Sequence, residues 1–210
     1  ARDDESGAKL SDQEILGHVS VFFAAGHETT AHGLSWTLLL LACFPDVAAK
    51  VQEELERVLG GAEPTFERLD QLVYLGWVVK ESLRLFTPAP WNGRVLTEDV
   101  ELDGYKIPAG SEVLFSLYET HRTDPIYERP YAFDPGRWEH IHPTPYQYSP
   151  FSAGPRTCIG AMFAQIEMKI VLALMLQRFR LELASNHVDR FAEMVLCTKQ
   201  PLFMRVQAAD

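Results

Sequence analysis

FSAGPRTCIG, residues 151–160, places one cysteine in a glycine-flanked loop, with Arg156 two positions before it and an apolar run directly after. Gly154 and Gly160 suit a tightly turned backbone. The apolar run predicts a helix starting just past Gly160, whose N-terminal N–H groups and positive dipole end face back onto the loop. Cys158 in that setting is expected as a thiolate, the form that acts as a nucleophile or a metal ligand. A nucleophile calls for a base, but no histidine lies in this segment, and the nearest in sequence, His142, sits in an irregular region. Zinc calls for a second cysteine or histidine at short spacing, and there is none. A single axial thiolate on haem iron needs no second protein ligand.

Working outward, the helix after the loop spans about residues 161–179; it is apolar on most faces and so is expected to be buried. Beyond it, RLEL and LFMRV read as strands. At the other end of the chain, Ser11 followed by Glu14 fits a capping box, and apolar residues then run to Phe44 before Pro45. This predicts one long, mostly buried helix of about 33 residues, roughly 50 Å. Within it, AAGHETT at 24–30 carries a glycine and two threonines, poor choices for a helix interior. PDVAAKVQEELERVL reads as a second helix closed by Gly60 and Gly61, and a third pattern covers about 69–86 and stops at TPAPW. VELDGYKIP alternates about an Asp103–Gly104 turn, a hairpin signal, and SEVLFSL reads as a further strand. Residues 123–150 show no sustained period, and so long an irregular segment inside a compact unit is usually functional.

At its fixed positions Phe151, Gly154, Arg156, Cys158 and Gly160, the loop resembles the haem-ligand signature F-x-x-G-x-R-x-C-x-G of the cytochrome P-450 monooxygenase superfamily. AGHETT resembles the family's oxygen-activation motif. There Thr29 can bond its hydroxyl back to the Ala25 carbonyl, loosening the helix to make room for oxygen and water. By resemblance, Glu28 and Thr29 relay protons on the distal side, and Ala25 and Gly26 give small-residue access over the haem. E-S-L-R brings Glu81 and Arg84 onto one helix face. In the family this pair is buried and joined by an arginine that Arg137 of FDPGRW resembles, a structural triad rather than a catalytic one. Arg156 and Arg94 match positions that bind the haem propionates, and His121 of ETHR is a further candidate donor.

The resemblance implies a mainly α fold with small β-sheets (α+β). Residues 1–210 form a single unit, the C-terminal part of a cytochrome P-450 domain, from the oxygen-activation helix onward. It implies haem b as cofactor and electrons that come indirectly from NAD(P)H through a redox partner, namely a ferredoxin, a flavodoxin or a reductase. It implies an apolar small-molecule substrate facing Phe22 and Ala25, then Ala89, Pro90 and Trp91, then Met194, Val195 and Leu196. The implied reaction inserts one oxygen atom of dioxygen into that substrate. A peroxygenase or an isomerase is the alternative, against which the intact acid–threonine pair argues; an inert half-domain is a third.

Composition agrees. The 210 residues are 47% hydrophobic, enough for a real core, and the formal net charge of −10 argues against a nucleic-acid surface. Three scattered cysteines make a poor disulfide framework and favour a reducing, intracellular setting. The expected form is a monomer, cytoplasmic if bacterial, with a membrane anchor upstream of Ala1 compatible with the sequence. ARDDESGAKLSDQE reads as the middle of a surface loop, so the chain is expected to start inside a larger protein.

Overall fold

The computed structural model describes residues 9–123, 125–184 and 188–209, so the N-terminal eight residues of the expected surface loop lie outside the described part. The first helix, α1, runs Asp12–Cys43. Its capping box is formed: the Glu14 N–H donates to Ser11 Oγ at 3.3 Å, and the Ser11 N–H donates to Glu14 Oε2 at 2.8 Å. Burial begins only at Thr30 and continues through Gly33, Trp36, Thr37 and the Leu39–Leu41 run. The expectation of a mostly buried helix therefore holds for the second half alone. The other helices pack on that half, and among the described residues nothing covers Leu16, Val19, Phe22 and Phe23.

Helix α2, Pro45–Leu59, starts with proline in its first turn and ends at Gly60, whose φ of 56° needs the left-handed region. The single helix expected over 69–86 is two: α3, Phe66–Leu69, and α4, Val73–Leu85. The apolar pattern runs on across the break because both Leu69 and Leu72 are buried. What starts α4 afresh is Glu54 of α2, a buried carboxylate that accepts the backbone N–H groups of Tyr74 and Leu75 at 2.8 and 2.9 Å. It satisfies two of the free donors of the α4 terminus from another element.

Among the described residues, four two-stranded antiparallel sheets follow. Strand β1 (Trp91–Val95) pairs with β4 (Glu112–Ser116), with Trp91 opposite Ser116. The hairpin β2 (Val100–Leu102) with β3 (Tyr105–Ile107) turns at Asp103 and Gly104, both at positive φ as a primed turn requires. SEVLFSL does not end as a strand: Leu117 opens a short helix, α5 (Leu117–Thr123), capped by Ser116 Oγ accepting from the Glu119 N–H at 3.1 Å. Ser116 and Glu119 stand in capping-box spacing, a signal that was present in the sequence. The long helix α6, Ala161–Arg178, buries Met168, Leu172, Ala173 and Leu176 but leaves Met162 and Phe163 more than 70% exposed. Burial on most faces thus fails in its first turn. Strand β5 (Phe179–Leu183) pairs with β8 (Met204–Ala208), and β6 (Arg190–Ala192) with β7 (Leu196–Thr198).

The core lies where the second half of α1 meets α2, α4 and α6. Gly33 shows how close the helices come: a Cβ there would lie 3.3 Å from the Met168 side chain. A smaller cluster, Trp36, Leu39 and Leu196, ties α1 to the β6–β7 hairpin; the Trp36 indole stacks on Phe86 at 4.4 Å and donates to the Leu196 carbonyl at 2.9 Å. Leu172 is wholly buried at the centre of the main core. Leu172→Ala should lower unfolding free energy by about 2–5 kcal/mol with the fold retained, read by urea denaturation followed by circular dichroism.

Candidate active site

Phe151 anchors the cysteine loop by packing against the main core. From there the chain turns through Ser152 and Gly154, with φ of 63° and 73°. The Cys158 N–H returns to the Phe151 carbonyl at 2.9 Å, and the Thr157 hydroxyl donates to the Gly154 carbonyl at 2.7 Å. The Cys158 carbonyl accepts from the Ala161 N–H at 3.3 Å, joining the loop to the first turn of α6. Cys158 itself is free and exposed. Gly154 requires its glycine, whereas Gly160 has φ −84°, open to any residue, so the tight-turn expectation holds at only one of the two.

On α1, Thr29 Oγ1 donates to the Ala25 carbonyl at 2.7 Å. The helix nevertheless stays α-helical throughout, because that carbonyl has a second lone pair for its main-chain partner. No break in the helix accompanies the bond. Ala25, Gly26 and Glu28 are exposed, and Glu28 Oε1 lies 3.7 Å from His32 Nε2, one turn on. Arg156 and Arg94 are also exposed, and neither has a carboxylate partner among the described residues; Arg94 donates only to the adjacent Gly93 carbonyl.

Glu81, Arg84 and Arg137 are brought together in the interior. Glu81 accepts from Arg84 Nε and Nη2 at 2.9 Å each, from Arg137 Nε at 2.9 Å, from Trp138 Nε1 at 3.0 Å and from the Asp134 N–H at 3.1 Å. Arg84 also donates to the carbonyls of His121, Pro130 and Ala132. Trp138 is a fourth member that sequence reading missed; its position next to Arg137 was the only signal.

His121 is corrected as a propionate donor. It is fully buried, its Nε2 accepts the Ser149 N–H at 3.0 Å, and its Nδ1 faces Thr87 Oγ1 at 3.1 Å and the Arg84 carbonyl at 3.3 Å. Both ring nitrogens are used inside the fold. Of the expected substrate walls, Pro90, Trp91 and Leu196 line one cavity of ≈ 350 Å³ between β1, α5 and the β6–β7 hairpin. Ala89 and Val195 are half-buried beside those residues in sequence, while Met194 is 86% exposed at the hairpin tip. Phe22 and Ala25 do not line that cavity; they stand on the uncovered half of α1.

A family model for cytochrome P-450 matches residues 1–206. The chain belongs to the cytochrome P-450 family. It is 39% identical to the human (Homo sapiens) ultra-long-chain fatty acid omega-hydroxylase over 97% of its own length and 40% of that protein. It is 40% identical to leukotriene-B4 omega-hydroxylase 3 of Mus musculus over the same shares of the two chains, and 43% identical to cytochrome P-450 4V2 of Rattus norvegicus over 85% and 35%. The chain thus spans about two fifths of the length of these curated relatives.

The residues present fit the family's haem. One free thiol is exposed beside apolar Ile159, Met162 and Phe163, which are exposed as well. Two guanidiniums without carboxylate partners suit the two propionates. Among the described residues no cluster of His, Cys, Asp or Glu offers a competing metal site.

Two expectations follow from the buried network. Arg84→Met removes two of the donors to the buried Glu81 carboxylate and should cost about 3–5 kcal/mol, measured by chemical denaturation. Burial, the largest cause, lowers the His121 pKa from 6.5 to about 4; the Arg84 carbonyl works against it, and the Arg84 and Arg122 cations add to it. The unfolded chain therefore takes up the proton first. Stability should be full above about pH 6.5 and fall by about 3 kcal/mol as pH drops to about 4. Urea titrations across that range check it, with His121→Gln giving a flatter profile.

Proposed function

We propose that this chain forms part of a haem-thiolate monooxygenase, residues 1–210 acting as one unit of a longer cytochrome P-450 domain, and that it works on an aliphatic acid. The observation that carries the reading is the free, exposed Cys158 on a tightly bonded loop at the head of α6, with the uncommitted Arg156 two residues before it. Cys158 would ligate haem b, and Arg94 and Arg156 would hold its two carboxylates. Bound there, haem supplies the iron chemistry by which one atom of dioxygen enters an unactivated C–H bond and the other leaves as water.

This chain's own residues do the rest. Arg156 and Arg94 orient the cofactor by charge-assisted hydrogen bonds. Glu28, exposed on α1, takes protons from solvent, and the Thr29 hydroxyl, held by the Ala25 carbonyl, passes them inward. Ala25 and Gly26, with no bulk beyond a methyl, would leave room beside α1 for a small ligand. Electrons arrive singly from a ferredoxin, flavodoxin or reductase and derive from NAD(P)H. The substrate class rests on the apolar cavity walls and on two similar proteins named for omega-hydroxylation of a fatty acid and of leukotriene B4.

Reducing the haem-loaded protein under carbon monoxide tests the reading. The red-shifted Soret band of a thiolate-ligated haem is expected, and Cys158→Ser should abolish it. Absence of the band in the unaltered protein overturns the assignment. Thr29→Ala should keep the band while lowering product formed per dioxygen consumed by about a hundredfold, the lower end of what a positioned proton-transfer group contributes.

A further inference from the structure

A second cavity, of ≈ 240 Å³, opens between α4, α6 and the turn after α3, and none of its lining residues belongs to α1 or to the Cys158 loop. Lys80 and Lys169 both line it, with Asp70 as the carboxylate among them. The chain has six lysines; Lys9, Lys50, Lys80, Lys106 and Lys199 are exposed, and Lys169 alone is half-buried. Two features seat its amine. Nζ donates to the Leu69 carbonyl at 3.0 Å, its one hydrogen bond among the described residues. Gly76 opens the notch: it stands in the interior of α4, where glycine is a poor helix former, and a Cβ there would lie 3.2 Å from Lys169 Cε and 3.3 Å from Nζ. Burial, the largest cause, holds the Lys169 pKa below its ordinary value; Asp70 and Glu54 oppose this, and the Lys80 cation adds to it.

We propose that Lys169 is a covalent capture site for a small aldehyde, held in this cavity as an imine. The site is independent of the haem-thiolate reading. The neutral amine adds to the aldehyde carbon and forms the C–N bond. One amine proton and one proton from the Lys80 ammonium leave with the carbonyl oxygen as water, and a protonated C=N bond replaces C=O; no electron is gained or lost. The count of donors favours this product. An ammonium brings three N–H groups to a place where one carbonyl receives them, whereas a protonated imine brings one, and the Leu69 carbonyl takes it. Its positive charge meets the Asp70 carboxylate in the lining. An amide made by acylation would carry no charge for Asp70 to meet, and a carbamate made from carbon dioxide would set a second anion beside it. Val73, Trp77 and Val79 supply the apolar side against which a short hydrocarbon body lies.

Trapping tests it. The full chain is treated with limiting butanal and sodium cyanoborohydride, which reduces each imine in place, and peptide mass mapping reads the occupancy of every lysine. Lys169 is expected to be labelled about tenfold faster than the five exposed lysines, the scale of one hydrogen bond to a charged group. The N-hydroxysuccinimide ester of butanoic acid, whose amide product is neutral, should show no such preference. Lys169→Arg should remove that label and leave the other five lysines unchanged. Gly76→Ala closes the notch and should bring Lys169 down to the rate of the exposed lysines, with the helix kept, as circular dichroism would show, because alanine is the better helix former. Labelling of Lys169 no faster than that of the exposed lysines, an equal preference with the ester, or a preference that survives Gly76→Ala overturns the capture site.

Discussion

A carboxylate taken wholly out of water is tolerated only when its lone pairs are all met, and Glu81 is where this chain meets that demand most fully. Donors from its own helix, from the 3-10 turn Pro135–Glu139 and from the backbone before it converge on the two oxygens. Arg84 and Arg137 then spend their remaining N–H groups on main-chain carbonyls between 121 and 132. A segment with almost no regular structure is thereby held from inside by side chains in place of a backbone ladder. The same framework reaches the cysteine loop: His121 accepts the Ser149 N–H, and Ser149 accepts the Ser152 N–H where the loop begins. The cysteine loop is thus joined to the segment that the Glu81 network holds.

Two sets of arginines differ in what they meet. Arg84 and Arg137 are buried, each with a carboxylate and several carbonyls around it. Arg94, Arg156 and Arg190 are exposed and, among the described residues, without acid partners. A guanidinium cannot shed its charge, so an uncommitted one beside apolar surface is a standing invitation to an anion. In the function proposed above, Arg94 and Arg156 would hold the cofactor's carboxylates.

One helix, α1, serves both purposes because it is apolar nearly all round. Its second half fuses to α2, α4 and α6, with Gly33 admitting Met168. Its first half presents Phe22, Ala25, Gly26 and Glu28 on an uncovered surface. Periodicity cannot separate the halves, since a stripe hydrophobic on every side looks the same whether or not something lies against it. For the same reason the first turn of α6 was read as buried.

Residue type and spacing by themselves determined the ends of α1 and α2, the Asp103–Gly104 hairpin, the Thr29 bond to Ala25 and the cysteine loop, because caps, turns and short motifs act within a few residues. They also showed Glu81 and Arg84 sharing a helix face. Only the tertiary structure decided what each charge meets. It closed His121 inside the fold, gave Glu54 to the start of α4, added Trp138 to the Glu81 network and brought Arg190 to Tyr118 across 72 residues of chain. A side chain's partner at such a distance depends on how helices and hairpins pack, and packing is a property of the whole chain that no local window contains.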